Sequence, residues 1–259
     1  MKCYTFCFTS PNLLIGITTD FALAEPGSDA NFFLKSSYVT YIQNGGAKVV
    51  LIPFSDFFDP NDWIFLDGII LSGSVPDIPP HFYGAPQNFF TGTWMLEKRV
   101  IFELALLDLC EKVGIPVFGI CSGFQTMNVY REGSLIQDLP TMYGSPVKHQ
   151  ESEHSMDIRL PWTDGEKGKD SSELLDEPSF LEMKVNSFHH QGVERLGSNL
   201  EILAISRGDQ LVEGFHDPRH PFFAGVQWHP ERMPEEDPLS RSLRRAFLNA
   251  CTIFRTSRL

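Results

Sequence analysis

No apolar run in this chain approaches the ~20 residues that a membrane-crossing helix needs, so no span is predicted. Residues 1–17 are moderately apolar, but Pro11 and Asn12 interrupt them and no small-residue cleavage site follows. They read as a short leader into a strand, not as a signal peptide. Cysteine is scarce: Cys3, Cys7, Cys110, Cys121 and Cys251 are odd in number and scattered. That excludes a disulfide frame and suits reduced thiols in the cytoplasm. Cys3 and Cys7 have no second pair to complete a zinc site. Basic residues are outnumbered, 21 Lys and Arg against 33 Asp and Glu, for a net charge of −12. Such a chain offers no broad basic face to nucleic acid or to an anionic membrane. Internal repeats and long low-complexity tracts are also lacking.

What remains is an ordinary globular composition, 42% hydrophobic over 259 residues, enough to bury a full core. Apolar runs at 13–18, 48–53, 67–72 and 115–120 read as strands. Helical patterns lie at 31–44, 97–112 and 123–130; Gly45 and Gly114 stop the first two. The alternation predicts an α/β fold with a mainly parallel sheet and helices on both faces. The second half is richer in β-runs, at 155–160, 183–186, 200–206, 211–215 and 223–227. A closing helix is expected over 240–255 and a polar surface loop over 164–177. No linker divides the chain, so 1–259 reads as a single domain.

The strongest chemical signal is Gly119-Ile120-Cys121-Ser122-Gly123. A cysteine stands where a β-run becomes a helix, with glycines two residues to either side. This is the thiol form of a nucleophile elbow, whose tight turn needs small neighbours. The helix N-terminus favours thiolate there. A buried structural cysteine is the competing reading, and it is preferred for the other four. A thiol nucleophile requires an imidazole to take its proton and return it to the leaving amine. Of eight histidines, His229 stands out. It ends the apolar run of Phe223-Ala224-Gly225-Val226-Gln227-Trp228-His229-Pro230-Glu231. Pro230 sets the turn, and Glu231 can come back to orient the ring. Alone, His-x-Glu is a weak signal; beside an elbow cysteine it is a strong one.

Gly-Ile-Cys-x-Gly-x-Gln at 119–125 followed by Gly-Val-Gln-Trp-His-Pro-Glu at 225–231 resembles the class I glutamine amidotransferases. The resemblance implies a three-layer, flavodoxin-like α/β sandwich with Cys121, His229 and Glu231 as a triad. Within that superfamily, several segments are similar to peptidase C26-type γ-glutamyl-γ-aminobutyrate hydrolases. These are Gly16-Ile17-Thr18, the run 72–84, Gly133 to Asp138, Val147-Lys148-His149-Gln150, and Val185-Asn186-Ser187-Phe188-His189-His190-Gln191. Two positions depart from that pattern: Ser122 stands where arginine is expected, and His190 where glycine is common.

Amide attack builds charge on the carbonyl oxygen, and N–H donors must meet it. The residue after the nucleophile supplies one, so Ser122 is the first candidate. Gly73, just past the run 67–72, is the second, and the resemblance agrees; a plain turn glycine is the alternative. Gln125 lies one helical turn from Cys121 and faces the same side. Asn186, Ser187, His189 and Gln191 place polar groups along a strand-to-loop segment, either lining a pocket or capping the strand.

These residues predict a cysteine hydrolase acting on a small γ-glutamyl amide, with no metal and no organic cofactor in the reaction. A homodimer is compatible with this reading. A glutaminase subunit passing ammonia to a synthase would use the same triad. A silent binding protein of the same fold would be free to lose one of the three residues, and none is lost.

Overall fold

The computed structural model describes residues 13–22, 31–55, 59–88, 97–161 and 181–259. In chain order the strands are β1 (Leu14–Thr18), β2 (Asp20–Ala22), β3 (Asn31–Phe33), β4 (Lys48–Ile52), β5 (Gly68–Leu71), β6 (Val117–Ile120) and β7 (Ser134–Ile136). They continue with β8 (Ser152–Ile158), β9 (Leu181–Ser187), β10 (Gly192–Arg195), β11 (Glu201–Ser206), β12 (Val212–His216) and β13 (Phe223–Val226). The helices are α1 (Ser36–Gln43), α2 (Glu97–Val113), α3 (Ser122–Tyr130) and α4 (Pro238–Ser257).

Nine strands form one sheet in the order β4-β1-β5-β6-β13-β12-β11-β8-β9. The first five are parallel. The apolar runs of β5, β6 and β13 are buried along their whole length, as parallel strands covered on both faces must be. Successive side chains point to opposite faces. Thus Ile70 and Phe118 join a core with Tyr38 and Ile42 of α1 and Leu243 and Phe247 of α4. Ile69 and Val117 join the other core, with Phe102 and Leu106 of α2 and Phe124 and Met127 of α3. Helices on both faces make this the three-layer α/β sandwich expected from the sequence.

Two features differ from the expectation. The pairs from β13 through β12, β11 and β8 to β9 are all antiparallel, so a four-stranded wing extends the parallel block. The run 31–44 is not one helix. Its first residues form β3, paired with β2. Phe32 packs edge-on against Phe54 at 4.9 Å and Phe21 at 5.8 Å, ring contacts that accompany the β2–β3 pairing. α1 begins only at Ser36. The predicted loop at 164–177 lies outside the described residues. Among those described, no helix is long and apolar enough to cross a membrane.

Candidate active site

β5, β6 and β13 are neighbours, and all three point their C-terminal ends the same way. The residues just past those ends are Gly73, Cys121 and His229, so the parallel block brings three distant segments to one place.

Cys121 sits between β6 and α3 with φ 55° and ψ −108°, a backbone state that side chains rarely adopt. Its N–H continues the sheet by donating to Val226 O at 2.9 Å. The glycine frame has a steric cause. A Cβ on Gly123 would overlap the Leu71 carbonyl, and one on Gly119 would strike Met127 and the backbone at 123–124. Cys121 is hydrogen-bonded to the His229 ring. His229 Nδ1 lies 2.8 Å from Glu231 Oε1. Both His229 and Glu231 are buried. Burial opposes the imidazolium, but the neighbouring Cys121 and the Glu231 carboxylate outweigh it and raise the His229 pKa to about 9. At the remaining described cysteines, burial pushes the Cys110 and Cys251 thiols up and keeps them neutral.

The backbone of His229 is held by a side chain. Asn186 Oδ1 accepts from His229 N–H at 2.9 Å, and Asn186 Nδ2 donates to His229 O at 2.8 Å. Asn186 therefore fixes the histidine and spends its amide doing so. Ser187 likewise turns away from the pocket, donating to His149 O at 2.9 Å.

A cavity of about 720 Å³ opens over Cys121. Gly73, Ser122, Gln125, His189 and Gln191, residues singled out in the sequence, line it, whereas Asn186 and Ser187 are not among its lining. Gln125 gives its N–H groups to Gln191 O and Gln227 Oε1, both at 3.1 Å, which leaves Oε1 as the atom it can offer. The nitrogens of the His189 ring face neighbours in and behind the wall: Nδ1 meets Gln191 O at 2.8 Å. Gly73 N–H is also engaged, donating to the Tyr38 hydroxyl at 2.8 Å. Ser122, the first residue of α3, has no intrahelical acceptor for its N–H.

Several residues make contacts at the site to which the sequence assigns no role. Tyr38 lines the cavity beside Cys121. Burial, with the charges of Glu231 and Cys121, holds its pKa well above the ordinary phenol value, so it keeps its proton. Phe188 covers His229 edge-on at 5.8 Å and carries the Arg232 guanidinium 4.7 Å above its own ring. His190 bridges Asp77 at 2.9 Å and Asp138 at 3.2 Å. Its pKa rises to about 9, first through the Asp77 hydrogen bond, against some opposition from burial. Beneath the Gly73 loop, the buried Arg99 donates to Ser72 O at 2.7 Å and pairs with Asp20 at 3.1 Å and Glu103 at 3.0 Å. Asp20 in turn accepts from Ser74 Oγ at 2.9 Å and Val75 N at 3.1 Å, locking the loop in place.

The Peptidase C26 family profile matches residues 13–231. The γ-glutamyl-γ-aminobutyrate hydrolase PuuD of Escherichia coli is 35% identical over 195 residues, covering 72% of each chain. A candidate glutamine amidotransferase-like protein of Lactococcus lactis, YvdE, is 31% identical over 218 residues, covering 84% of this chain and 88% of its own. The solved structure of a candidate GMP synthase subunit from Thermoplasma acidophilum superposes with a TM-score of 0.62 at 18% identity, covering 96% of this chain and 98% of that one. At that identity the likeness is one of fold.

Proposed function

The chain belongs to the peptidase C26 family, and from that premise we propose that it hydrolyses a γ-glutamyl amide such as γ-glutamyl-γ-aminobutyrate. The observation that carries the reading is the cysteine at a strained strand-to-helix turn, hydrogen-bonded to a histidine that a buried glutamate contacts from behind.

The Cys121 thiolate attacks the γ-carbonyl carbon. The developing oxyanion takes the Ser122 N–H at the head of α3. Tyr38 adds a second donor: its oxygen accepts from Gly73 N–H, and its own proton remains to give. Gly73, expected from the sequence to meet the oxyanion directly, then acts through the Tyr38 hydroxyl, polarising it. The His229 imidazolium protonates the departing amine as the tetrahedral intermediate collapses to a γ-glutamyl thioester. Neutral His229 then takes a proton from water, which attacks the thioester and releases glutamate and free Cys121. In the cavity, Gln125 Oε1 suits the substrate's α-ammonium group. Lys35 and Lys148 suit its α-carboxylate.

The test is kcat/KM for γ-glutamyl-γ-aminobutyrate against glutamine on one preparation of the full chain. A preference for the γ-glutamyl amine supports the proposal. A preference for glutamine, or activity only when a synthase is supplied, assigns the chain to ammonia transfer instead. No turnover of either, with Cys121 still reactive, overturns the substrate class.

A further inference from the structure

Behind the cavity wall lies a second group of buried chemistry that the hydrolysis does not use. His149, His154, His189 and Glu213 converge there, and all four are more than nine-tenths buried. Glu213 comes from β12 and His154 from β8. His149 and His189 come from the two segments that build the wall, and the backbone N–H of His189 donates to His149 O at 2.9 Å.

The carboxylate of Glu213 has no hydrogen-bond donor on either oxygen. Its Oε1 stands 3.5 Å from His149 Nδ1, 3.8 Å from His154 Nε2 and 3.5 Å from His189 Nε2. Those separations are long for hydrogen bonds. They are close to the edge of a tetrahedron of ligands around one ion, about 3.4 Å for metal–ligand bonds of ~2.0–2.1 Å.

The outer partners fix which nitrogens are free. His149 Nε2 lies 2.9 Å from Asp209 Oδ2, so its proton belongs there and Nδ1 keeps a lone pair. Ser187 Oγ, 3.4 Å from that Nδ1, gives its own proton to His149 O and does not compete for the lone pair. His189 Nδ1 donates to Gln191 O at 2.8 Å, leaving Nε2 bare and without any partner. Neither nitrogen of His154 has a partner. Carboxylate or carbonyl oxygens behind histidines, with the opposite nitrogens aimed at a common point, are the usual surroundings of a metal-bound imidazole. Charge agrees as well. A dication would be balanced by Glu213 in contact and by Asp209 through His149, whereas an unpaired buried carboxylate is costly.

The donor atoms of His149, His154 and Glu213 all lie within 4.8 Å of one another, and His189 Nε2 stands 3.5 Å from Glu213 Oε1; we propose that these three residues, completed by His189, form a four-coordinate site for a divalent first-row transition ion, zinc by its nitrogen and oxygen donor set. All four ligands come from protein, so the site is structural. The ion ties β8 and β12 to the wall segments at 148–151 and 188–191, which line the cavity beside Cys121. Glu213 O also accepts from Gln227 N–H at 2.8 Å, two residues before His229. The sequence leads to the expectation of no metal ligands and no cofactor; the proposed ion departs from the first and takes no part in the reaction.

Elemental analysis of the full chain, purified from zinc-supplemented medium without chelator or affinity metal, should give about one zinc per chain. Stripping with a strong chelator should lower the Tm, and zinc should restore it. Replacing the ion with cobalt should give the intense visible d–d bands of a tetrahedral centre; this needs no mutation and so does not depend on a variant folding. Glu213→Gln and His154→Gln should reduce the bound metal several-fold. A chain that carries no stoichiometric metal and whose Tm ignores zinc overturns the proposal and makes the cluster a metal-free one. Six-coordinate cobalt bands, or full zinc content in both variants, overturn it equally by placing the metal elsewhere.

Discussion

The N–H of Gly73 donates to the hydroxyl of Tyr38 at 2.8 Å, although Gly73 follows a central strand and Tyr38 belongs to a helix packed on one face of the sheet. The bond leaves the tyrosine proton as the group that can reach a carbonyl oxygen. Tyr38→Phe is therefore expected to lower kcat by about a hundredfold to a thousandfold, the range for losing one oxyanion donor, with KM little changed. Steady-state kinetics on the folded variant decides it. An unaltered kcat removes Tyr38 from the reaction and returns the second donor to Gly73 alone.

Thiol reactivity should be concentrated at one of the described cysteines. Limiting iodoacetamide at neutral pH, mapped by mass spectrometry, is expected to label Cys121 well ahead of Cys110 and Cys251, whose burial keeps them as neutral thiols. Cys121→Ala should abolish turnover and leave the thermal melt nearly unchanged. Turnover retained by a folded alanine variant rules out the nucleophile.

The imidazolium of His229 should set the alkaline limit of activity. In the proposed reaction it is the acid for the leaving amine, and its pKa is raised to about 9, so kcat/KM should hold through neutral pH and fall as pH passes that value. Glu231→Gln removes one of the two charges that favour the cation. The falling limb should move to lower pH, with a milder loss at its optimum than His229→Ala causes. An alkaline limb that Glu231→Gln leaves in place would mean that the carboxylate does not support the cation.

His190 gives a stability prediction with a definite sign. Its folded pKa, about 9, lies above its ordinary value of 6.5. The native state thus holds the proton more tightly, and the contribution of the Asp77–His190–Asp138 bridge is complete below 6.5 and lost as pH rises through about 9. The Tm gap between the parent chain and His190→Asn should be widest in mild acid and close toward alkaline pH. A gap that is constant or widens with pH would contradict a protonated bridge.

How much of this was legible in the sequence depended on how local each cause is. Cys121 announces itself because its strain is relieved by glycines two residues away, within one turn of chain. His229 and Glu231 are two residues apart, so their pairing is readable too. The central strands were legible because burial on both faces leaves unbroken apolar runs. Tyr38 was not, because a tyrosine among Phe33, Val39 and Ile42 looks like ordinary core packing until Gly73 is brought to its hydroxyl. Arg99 and Asp20 lie 79 positions apart, and no spacing rule links them. Asn186 and Ser187 were read as pocket lining from strand alternation, yet their partners are the backbones of His229 and His149, which only the assembled sheet supplies. The antiparallel wing was hidden for a related reason: short β-runs do not reveal the direction in which they pair.

The clasp between Asn186 and His229 also constrains the shape of that wing. Asn186 belongs to β9, four strands away from β13, the strand that leads to His229. In a flat sheet, four steps of ~4.8 Å would hold them about 19 Å apart. They are 2.8 Å apart. The wing and the chain that runs on from β13 to residue 229 therefore bend toward each other, bringing the outermost strand of the sheet against the histidine proposed to handle the proton. Anything that loosens that rim, from a substitution in the β8–β9 hairpin to a cut between its strands, acts on the reaction without touching the pocket.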